Sequence, residues 1–274
     1  MADSGQIGGA TRLAGVIGWP VEHSRSPQMH NAAFAALGLD WAYLAMPVQQ
    51  SKLEPALRGL AALGFAGANV TIPHKQAAAE LCDQLSDAAR RAGSVNTVLV
   101  SDDGALRGET TDGQGMLDAI GPLPGSDALV LGAGGAARAA VAALVGAGLS
   151  VGVAARRPQA AQELAAALGA AAVAWPVSQL PSLIVNATPL GQAGDAGDLP
   201  LDEALLEPGQ VVCDLAYRGD GAETGLIAAA RRRGARPVDG LDVLVGQGAI
   251  AFRLFTGLEP PLDVMHRAVR DPAI

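Results

Sequence analysis

The chain predicts an α/β protein of two domains separated by a cleft. Three observations carry that expectation. Short apolar runs alternate with Ala/Leu-rich helical stretches, the signature of βαβ units and a mostly parallel sheet. The turn-rich run Gly121-Pro122-Leu123-Pro124-Gly125 interrupts the alternation near mid-chain. Beyond it the alternation restarts with a fresh strand, turn and helix.

Residues 1–10 read as a frayed tail. In the first half, Leu13–Ile17 reads as a strand, Pro27–Leu37 as a helix, Trp41–Pro47 as a strand, Lys52–Leu63 as a helix and Gly67–Ile72 as a strand. His74–Ala92 holds one or two helices. Thr97–Val100 and Ala105–Gly108 pair around Asp103-Gly104, a turn dipeptide, and Asp112–Ile120 is a helix. In the second half the strands are Ala128–Leu131, Ser150–Ala154, Leu183–Asn186, Val211–Leu215 and Arg236–Val238. The helices are Ala136–Gly146, Pro158–Leu168 with Pro at its N-terminus, Glu223–Arg233 and a last one near Leu241–Phe255, followed by Leu-Glu-Pro-Pro.

Composition narrows the function classes. The 274 residues carry 19 Lys+Arg against 27 Asp+Glu, a net charge of −8. An acidic chain with no basic run lacks the footprint of a nucleic-acid binder, and an anionic membrane surface repels it. The longest Ala/Val/Leu/Gly-rich stretch between charges, 139–155, falls short of the ~20 apolar residues of a membrane helix and is broken by Gly146 and Gly148. No basic-then-apolar leader opens the chain. Cys82 and Cys213 have no zinc or redox spacing, and the four His form no i,i+4 pair, so no metal site is expected. The expected setting is cytoplasmic, as monomer or homodimer. Only two residues are Lys (Lys52, Lys75) and only four are Asn (Asn31, Asn69, Asn96, Asn186), so their positions are informative.

The strand Ala128–Leu131 runs into Gly132-Ala133-Gly134-Gly135-Ala136-Ala137-Arg138 and then a helix. This is G-x-G-x-x-A in its required context. Gly132 permits the tight turn, Gly134 lets backbone approach a pyrophosphate, and Ala137 allows close helix–strand packing at a helix N-terminus suited to phosphate. The next strand ends in Ala155-Arg156-Arg157-Pro158 with no acid for a ribose 2′-hydroxyl. Two guanidiniums suit a 2′-phosphate, and cations at a helix start are unfavourable without an anion. The expected cofactor is therefore NADP rather than NAD, in a Rossmann-like domain.

The first half carries a second polar set. In Gly18–Asn31, Ser26-Pro27 reads as an N-cap followed by Pro, with Ser24 beside it, a small anion site suited to a carboxylate. Asn69 and Thr71 share one strand face in Asn69-Val70-Thr71-Ile72-Pro73-His74-Lys75. Lys75 stands at a helix start, where the dipole gives it no structural reason to be. Asp112 opens the helix leading to the second domain. A Lys and an Asp in one cleft make an acid–base pair; alone, Asp112 reads equally as a helix cap.

In order, these segments resemble the shikimate dehydrogenase family. G-x-P-x-x-H-S-x-S-P-x-x-H-N stands at 18–31, N-V-T-x-P-x-K at Asn69–Lys75, V-N-T at Val95–Thr97 and G-A-G-G-A-x-R at 132–138. N-A-T-P-x-G stands at Asn186–Gly191, D-x-x-Y at Asp214–Tyr217, and the last helix carries Gly240 and Gln247. The resemblance implies a substrate domain over 11–111 with 248–274, an NADP domain over 112–247, and a C-terminal helix returning to the first. It implies reversible reduction of 3-dehydroshikimate to shikimate, in aromatic amino-acid biosynthesis. It places Ser24, Ser26 and Tyr217 at the carboxylate, and Thr71, Asn96, Asp112 and Gln247 at the ring hydroxyls. Lys75 and Asp112 become the catalytic pair, and Gly135, Ala136, Thr188 and Gly240 join the cofactor contacts. Departures are Thr110 for the usual Asn, Ala155-Arg156-Arg157 for N-R-T, Gly219 for a common Pro, and Asp242-Val243, where Val243 is expected to alter the wall near Gln247. A quinate or aminoshikimate dehydrogenase, or a non-catalytic NADP-binding regulator, would share the layout.

Overall fold

The computed structural model describes residues 7–192 and 199–271, so residues 1–6 of the expected tail lie outside the described residues. The chain divides into two compact units, Met1–Thr111 with Gln247–Ile274, and Asp112–Gly246. Gln247 falls with the first unit rather than the second, where the sequence places it. Its Oε1 accepts from Asn96 Nδ2, in that unit, at 3.2 Å.

The first unit runs β1 (Arg12–Gly18), α1 (Ser26–Ala36), β2 (Trp41–Pro47), α2 (Leu53–Ala62), β3 (Gly67–Val70), α3 (Lys75–Leu81), β4 (Gln84–Leu85), α4 (Asp87–Ala92), β5 (Thr97–Val100) and β6 (Leu106–Glu109). The second holds α5 (Asp112–Ile120), β7 (Asp127–Leu131), α6 (Gly135–Gly146), β8 (Ser150–Ala154), α7 (Pro158–Leu168), β9 (Ala171–Ala172), β10 (Leu183–Asn186), β11 (Val211–Asp214), α8 (Gly225–Arg232) and β12 (Arg236–Val238). Then α9 (Gly240–Thr256) leads the chain back to the first unit, which α10 (Leu262–Arg270) completes.

The first sheet has the order β2-β1-β3-β5-β6-β4 and is parallel except for β5, which is antiparallel to both neighbours. The second has the order β12-β11-β10-β7-β8-β9 and is parallel throughout. Strands covered on both faces are continuously apolar rather than alternating, and β10 and β11 are buried at every residue. Helix ends follow local chemistry. Ser86 caps α4 by accepting from the Ala89 N–H, and Gly93 closes it in the left-handed region. Pro158 opens α7 and Gly169 closes it.

Each sheet carries core on both faces. In the first unit Ile17, Leu53, Leu57, Val70, Val98 and Leu106 pack on one face. On the other, His30, Phe34, Tyr43 and Phe252 form an aromatic cluster, with Phe34 and Phe252 5.4 Å apart. Each large side chain buried this way stabilises by about 1.5–3 kcal/mol. In the second unit Val130, Val141, Leu144 and Val185 fill one face, and Leu131, Ile184, Val212 and Ile227 are buried as well.

Several further sequence expectations change, the short strands β4 and β9 being additional to the expected elements. Helix α10 is additional to the expected elements, although Met265, Ala268 and Val269 give it an apolar stripe after Pro261. Ser26 is not the N-cap of α1 but its first residue; Arg25 is the cap, without a side-chain capping bond. The third strand stops at Val70 because Thr71–His74 turns, the His74 N–H donating to the Thr71 carbonyl at 2.9 Å.

Candidate functional site

In both sheets the strand order reverses at one point, where α/β proteins bind ligands, at the carboxyl ends of the strands. In the first sheet the chain leaves β1 for β2 on one side and returns as β3 on the other. The segments after β1 and β3 therefore meet. The Thr71 N–H donates to the Ile17 carbonyl at 2.8 Å, and the Trp19 N–H to the Ile72 carbonyl at 3.1 Å. A Cβ on Gly18 would lie 2.4 Å from the Thr71 methyl, so the bare glycine lets Thr71 come in. This edge holds Ser24, Ser26, Thr71 and Lys75. The Ser26 N–H donates to Ser24 Oγ at 3.3 Å, which brings the two hydroxyl-bearing residues into one turn. Lys75 begins α3, and its carbonyl accepts from the Val95 N–H at 2.9 Å, tying it to the segment before β5.

Because β5 runs against β3, its first residues return to the same edge, with Thr97 opposite Asn69. A buried polar chain results. The Tyr43 hydroxyl donates to Asn69 Oδ1 at 2.5 Å. Asn69 Nδ2 donates to Thr97 Oγ1 at 2.9 Å and the Asn96 carbonyl at 3.2 Å. Asn96 Nδ2 donates to Thr111 Oγ1 at 2.9 Å and Gln247 Oε1 at 3.2 Å, while the Thr111 N–H donates back to Asn96 Oδ1 at 2.8 Å. The expected site residues Asn96 and Gln247 are thus joined, and Tyr43, Asn69 and Thr111 orient them. Tyr43 escapes a sequence reading because on a strand it looks like ordinary core. Thr110, standing for the family's Asn, has a buried hydroxyl with no partner among the described residues.

In the second sheet the reversal lies between β7 and β10. Gly132 has φ +115°, and a Cβ there would lie 2.8 Å from the Ala187 carbonyl oxygen. The turn after β7 therefore packs directly against Ala187-Thr188. Gly134, the N-cap of α6, has open space beside it, and as a glycine it leaves room for a pyrophosphate at the helix start. Thr188 is fixed by Asn186, whose Oδ1 accepts from the Thr188 N–H at 3.0 Å and hydroxyl at 2.7 Å. Asn186 Nδ2 donates to Asp214 Oδ1 at 2.8 Å, and the Thr224 hydroxyl donates to Asp214 Oδ2 at 2.6 Å. Gly240 starts α9 where a Cβ would lie 2.2 Å from the Ala216 carbonyl, beside Tyr217. Arg156 and Arg157 are exposed just after β8. An open glycine turn at the reversal point and exposed guanidiniums at the next strand end fit a dinucleotide with a 2′-phosphate. Asp112 and Tyr217 belong to this unit and Lys75 to the other. Val243 is buried, in the same core cluster as Met116 and Val238. Among the described residues no group of three or more His, Cys, Asp or Glu is placed to hold a metal ion.

Two buried groups shape the pH response. His30 is fully buried and stacked on Tyr43 at 4.3 Å, its ring nitrogens without partners among the described residues, and burial lowers its pKa from 6.5 to about 3. Its contribution to stability is present above pH 6.5 and is lost as pH falls toward 3, because only the unfolded chain takes the proton. Burial raises Asp214 from 3.8 to about 6, against the donors that hold it. Its contribution is present below pH 3.8 and is lost as pH rises through 6. The two slopes oppose each other over most of that range. His30→Met removes one of them. The stability of the variant relative to the parent is expected to rise by about 2–3 kcal/mol from pH 6.5 to 4.5 in urea unfolding, at about 1.4 kcal/mol per pH unit. A difference independent of pH would show that His30 titrates normally.

Fold and geometry define a two-unit α/β protein with a dinucleotide-type turn in one unit and a hydroxyl, amide and lysine cluster in the other. Residues 16–98 match the shikimate dehydrogenase substrate binding domain, and residues 240–270 the shikimate 5′-dehydrogenase C-terminal domain. A shikimate dehydrogenase (NADP(+)) of Rubrobacter xylanophilus is 49% identical over 279 residues, covering 96% of this chain and 97% of that one. Another from Moorella thermoacetica is 44% identical, covering 97% and 95%. The crystal structure of shikimate 5-dehydrogenase from Thermus thermophilus in complex with NADP(H) and shikimate has a TM-score of 0.86 at 40% identity, covering 95% of this chain and 99% of that one. The chain belongs to the shikimate dehydrogenase family.

Proposed function

We propose that the protein is an NADP-dependent oxidoreductase that reversibly reduces 3-dehydroshikimate to shikimate, a step of aromatic amino-acid biosynthesis. The observation that carries this reading is the grouping of Ser24, Ser26, Thr71, Lys75, Asn96 and Gln247 in one unit, with Lys75 at the reversal point of its sheet.

NADPH supplies the hydride when bound. Gly132, Gly134, Gly135 and Ala136 would hold its pyrophosphate, Arg156 and Arg157 its 2′-phosphate, and Thr188 and Gly240 the remainder. Ser24 and Ser26 donate hydroxyl hydrogen bonds to the substrate carboxylate, with Tyr217 completing that end. Thr71, Asn96 and Gln247 hold the ring hydroxyls, Asn96 and Gln247 being held in turn by the amide network. Charge develops on the carbonyl oxygen as the ketone is reduced. Lys75 stabilises it and delivers the proton, and Asp112 is the carboxylate of the acid–base pair. In the oxidative direction Lys75 takes the proton back. We place the protein in the cytoplasm as a monomer or homodimer; no helix among the described residues is long and apolar enough to cross a membrane.

The test is purified protein with shikimate or quinate, each with NADP⁺ or NAD⁺, followed by absorbance of the reduced nicotinamide. Shikimate with NADP⁺ is expected to give the highest kcat/KM. Faster turnover of quinate would move the substrate assignment, and no turnover of either acid would overturn the reading.

A further inference from the structure

We propose that Arg25 is a positioning residue for the carboxylate subsite, fastening the Ser24–Ser26 turn to the end of α10. The inference rests on the reading that Ser24 and Ser26 receive the substrate carboxylate.

Arg25 occupies the unspecified position of H-S-x-S-P, to which the sequence assigns no role. It is 5% exposed although it lies between two residues of a turn. Its Nη1 donates to the Val269 carbonyl at 2.8 Å and the Asp271 carbonyl at 3.2 Å. Val269 lies in the last turn of α10 and Asp271 is its C-cap. A cation there satisfies carbonyls that helix geometry leaves open and lies along the favourable direction of the dipole. The main chain of the same residue opens α1, its carbonyl accepting from the Met29 N–H at 3.1 Å. One residue therefore ends one helix with its side chain and begins another with its backbone. Burying a guanidinium is costly unless its bonds are made, so the position of Arg25 is strongly determined.

The other restraints on the turn are local, among them the Gln28 side-chain amide, which donates to the Ser24 and Arg25 carbonyls. The Ser24 N–H donates to the Val21 carbonyl at 3.0 Å, and the Ser26 N–H to Ser24 Oγ at 3.3 Å. The second of these bonds occupies a lone pair of one of the hydroxyls meant for the carboxylate. With Arg25 anchored, its neighbours are held on either side of a fixed point. Without it, the pair can drift by the fraction of an ångström that a two-hydroxyl carboxylate site does not tolerate.

The test uses the full chain with Arg25→Leu and Arg25→Lys. Steady-state constants are measured for shikimate, methyl shikimate (the carboxylate masked as an ester) and NADP⁺, together with Tm. In Arg25→Leu, KM for shikimate is expected to rise about tenfold, the size of one charge-assisted hydrogen bond. KM for NADP⁺ and for the ester should change less than about twofold, so the preference for acid over ester shrinks. Arg25→Lys, with one charged donor in place of the fork, recovers part of it. Should Arg25→Leu not fold, Arg25→Gln carries the same comparison. Equal rises for acid and ester, or a lower Tm with unchanged KM, would overturn the inference while leaving the proposed function intact. Wild-type protein inactive toward shikimate would overturn that function and the inference with it.

Discussion

Lys75→Ala is expected to lower the turnover number with shikimate by about 100-fold or more, the size of one general acid, while NADP⁺ affinity stays unchanged. The side chain stands at the first position of α3, where a cation opposes the helix dipole. The backbone bond from Val95 to the Lys75 carbonyl does not depend on the side chain. An unchanged Tm in the variant would show that loss of activity reports chemistry rather than unfolding. Lys75→Arg keeps the charge but holds its proton too tightly to give it up, and should leave NADP⁺ affinity unchanged without restoring turnover. Pre-steady-state rates and a fluorescence titration of the cofactor separate the two effects. Full turnover in Lys75→Ala would remove it from the mechanism.

Gly132→Ala should damage fold and cofactor site together. The residue has φ +115°, a region closed to L side chains, and the new methyl would lie 2.8 Å from the Ala187 carbonyl. Backbone strain of about 1–3 kcal/mol is compounded by a clash between two main-chain segments that are both strand ends. A loss of about 3 kcal/mol in urea unfolding is expected, with NADP⁺ affinity down more than about tenfold. Gly134→Ala is the informative contrast. Its methyl meets nothing within 4 Å. Stability should change by no more than about 0.5 kcal/mol, yet the methyl would stand where the pyrophosphate approaches. Unaltered NADP⁺ affinity in Gly134→Ala would move the phosphate site away from this turn.

The legibility of the molecule follows from how locally each feature is encoded. Strands β7, β8, β10 and β11 are short apolar runs bounded by turn residues, and their ranges are readable almost to the residue. The turn from Gly132 into α6 is readable because glycine positions report backbone geometry directly. What escapes depends on partners far along the chain. Tyr43 sits on a strand with an aromatic pattern, and nothing local shows that its hydroxyl meets Asn69, 26 residues away. Arg25 resembles a solvated charge until α10 supplies its carbonyls. Ser26-Pro27 carries a capping signature, but the chain starts the helix one residue earlier, because the Ser24 hydroxyl already accepts the Ser26 N–H.

The first unit is assembled from both ends of the chain, and this governs its birth as well as its shape. Arg25 and Val269 are separated by 244 positions. At a synthesis rate of about 5–20 residues per second, roughly 12–50 s pass between their emergence from the ribosome. For most of that interval Phe34 and Tyr43 are present without Phe252, and the aromatic face of the first sheet stays uncovered while the entire second unit is being made. The second unit, continuous in sequence, can fold during the wait. The order of completion is thus the reverse of the order of synthesis, and the need for protection falls on the half that is made first.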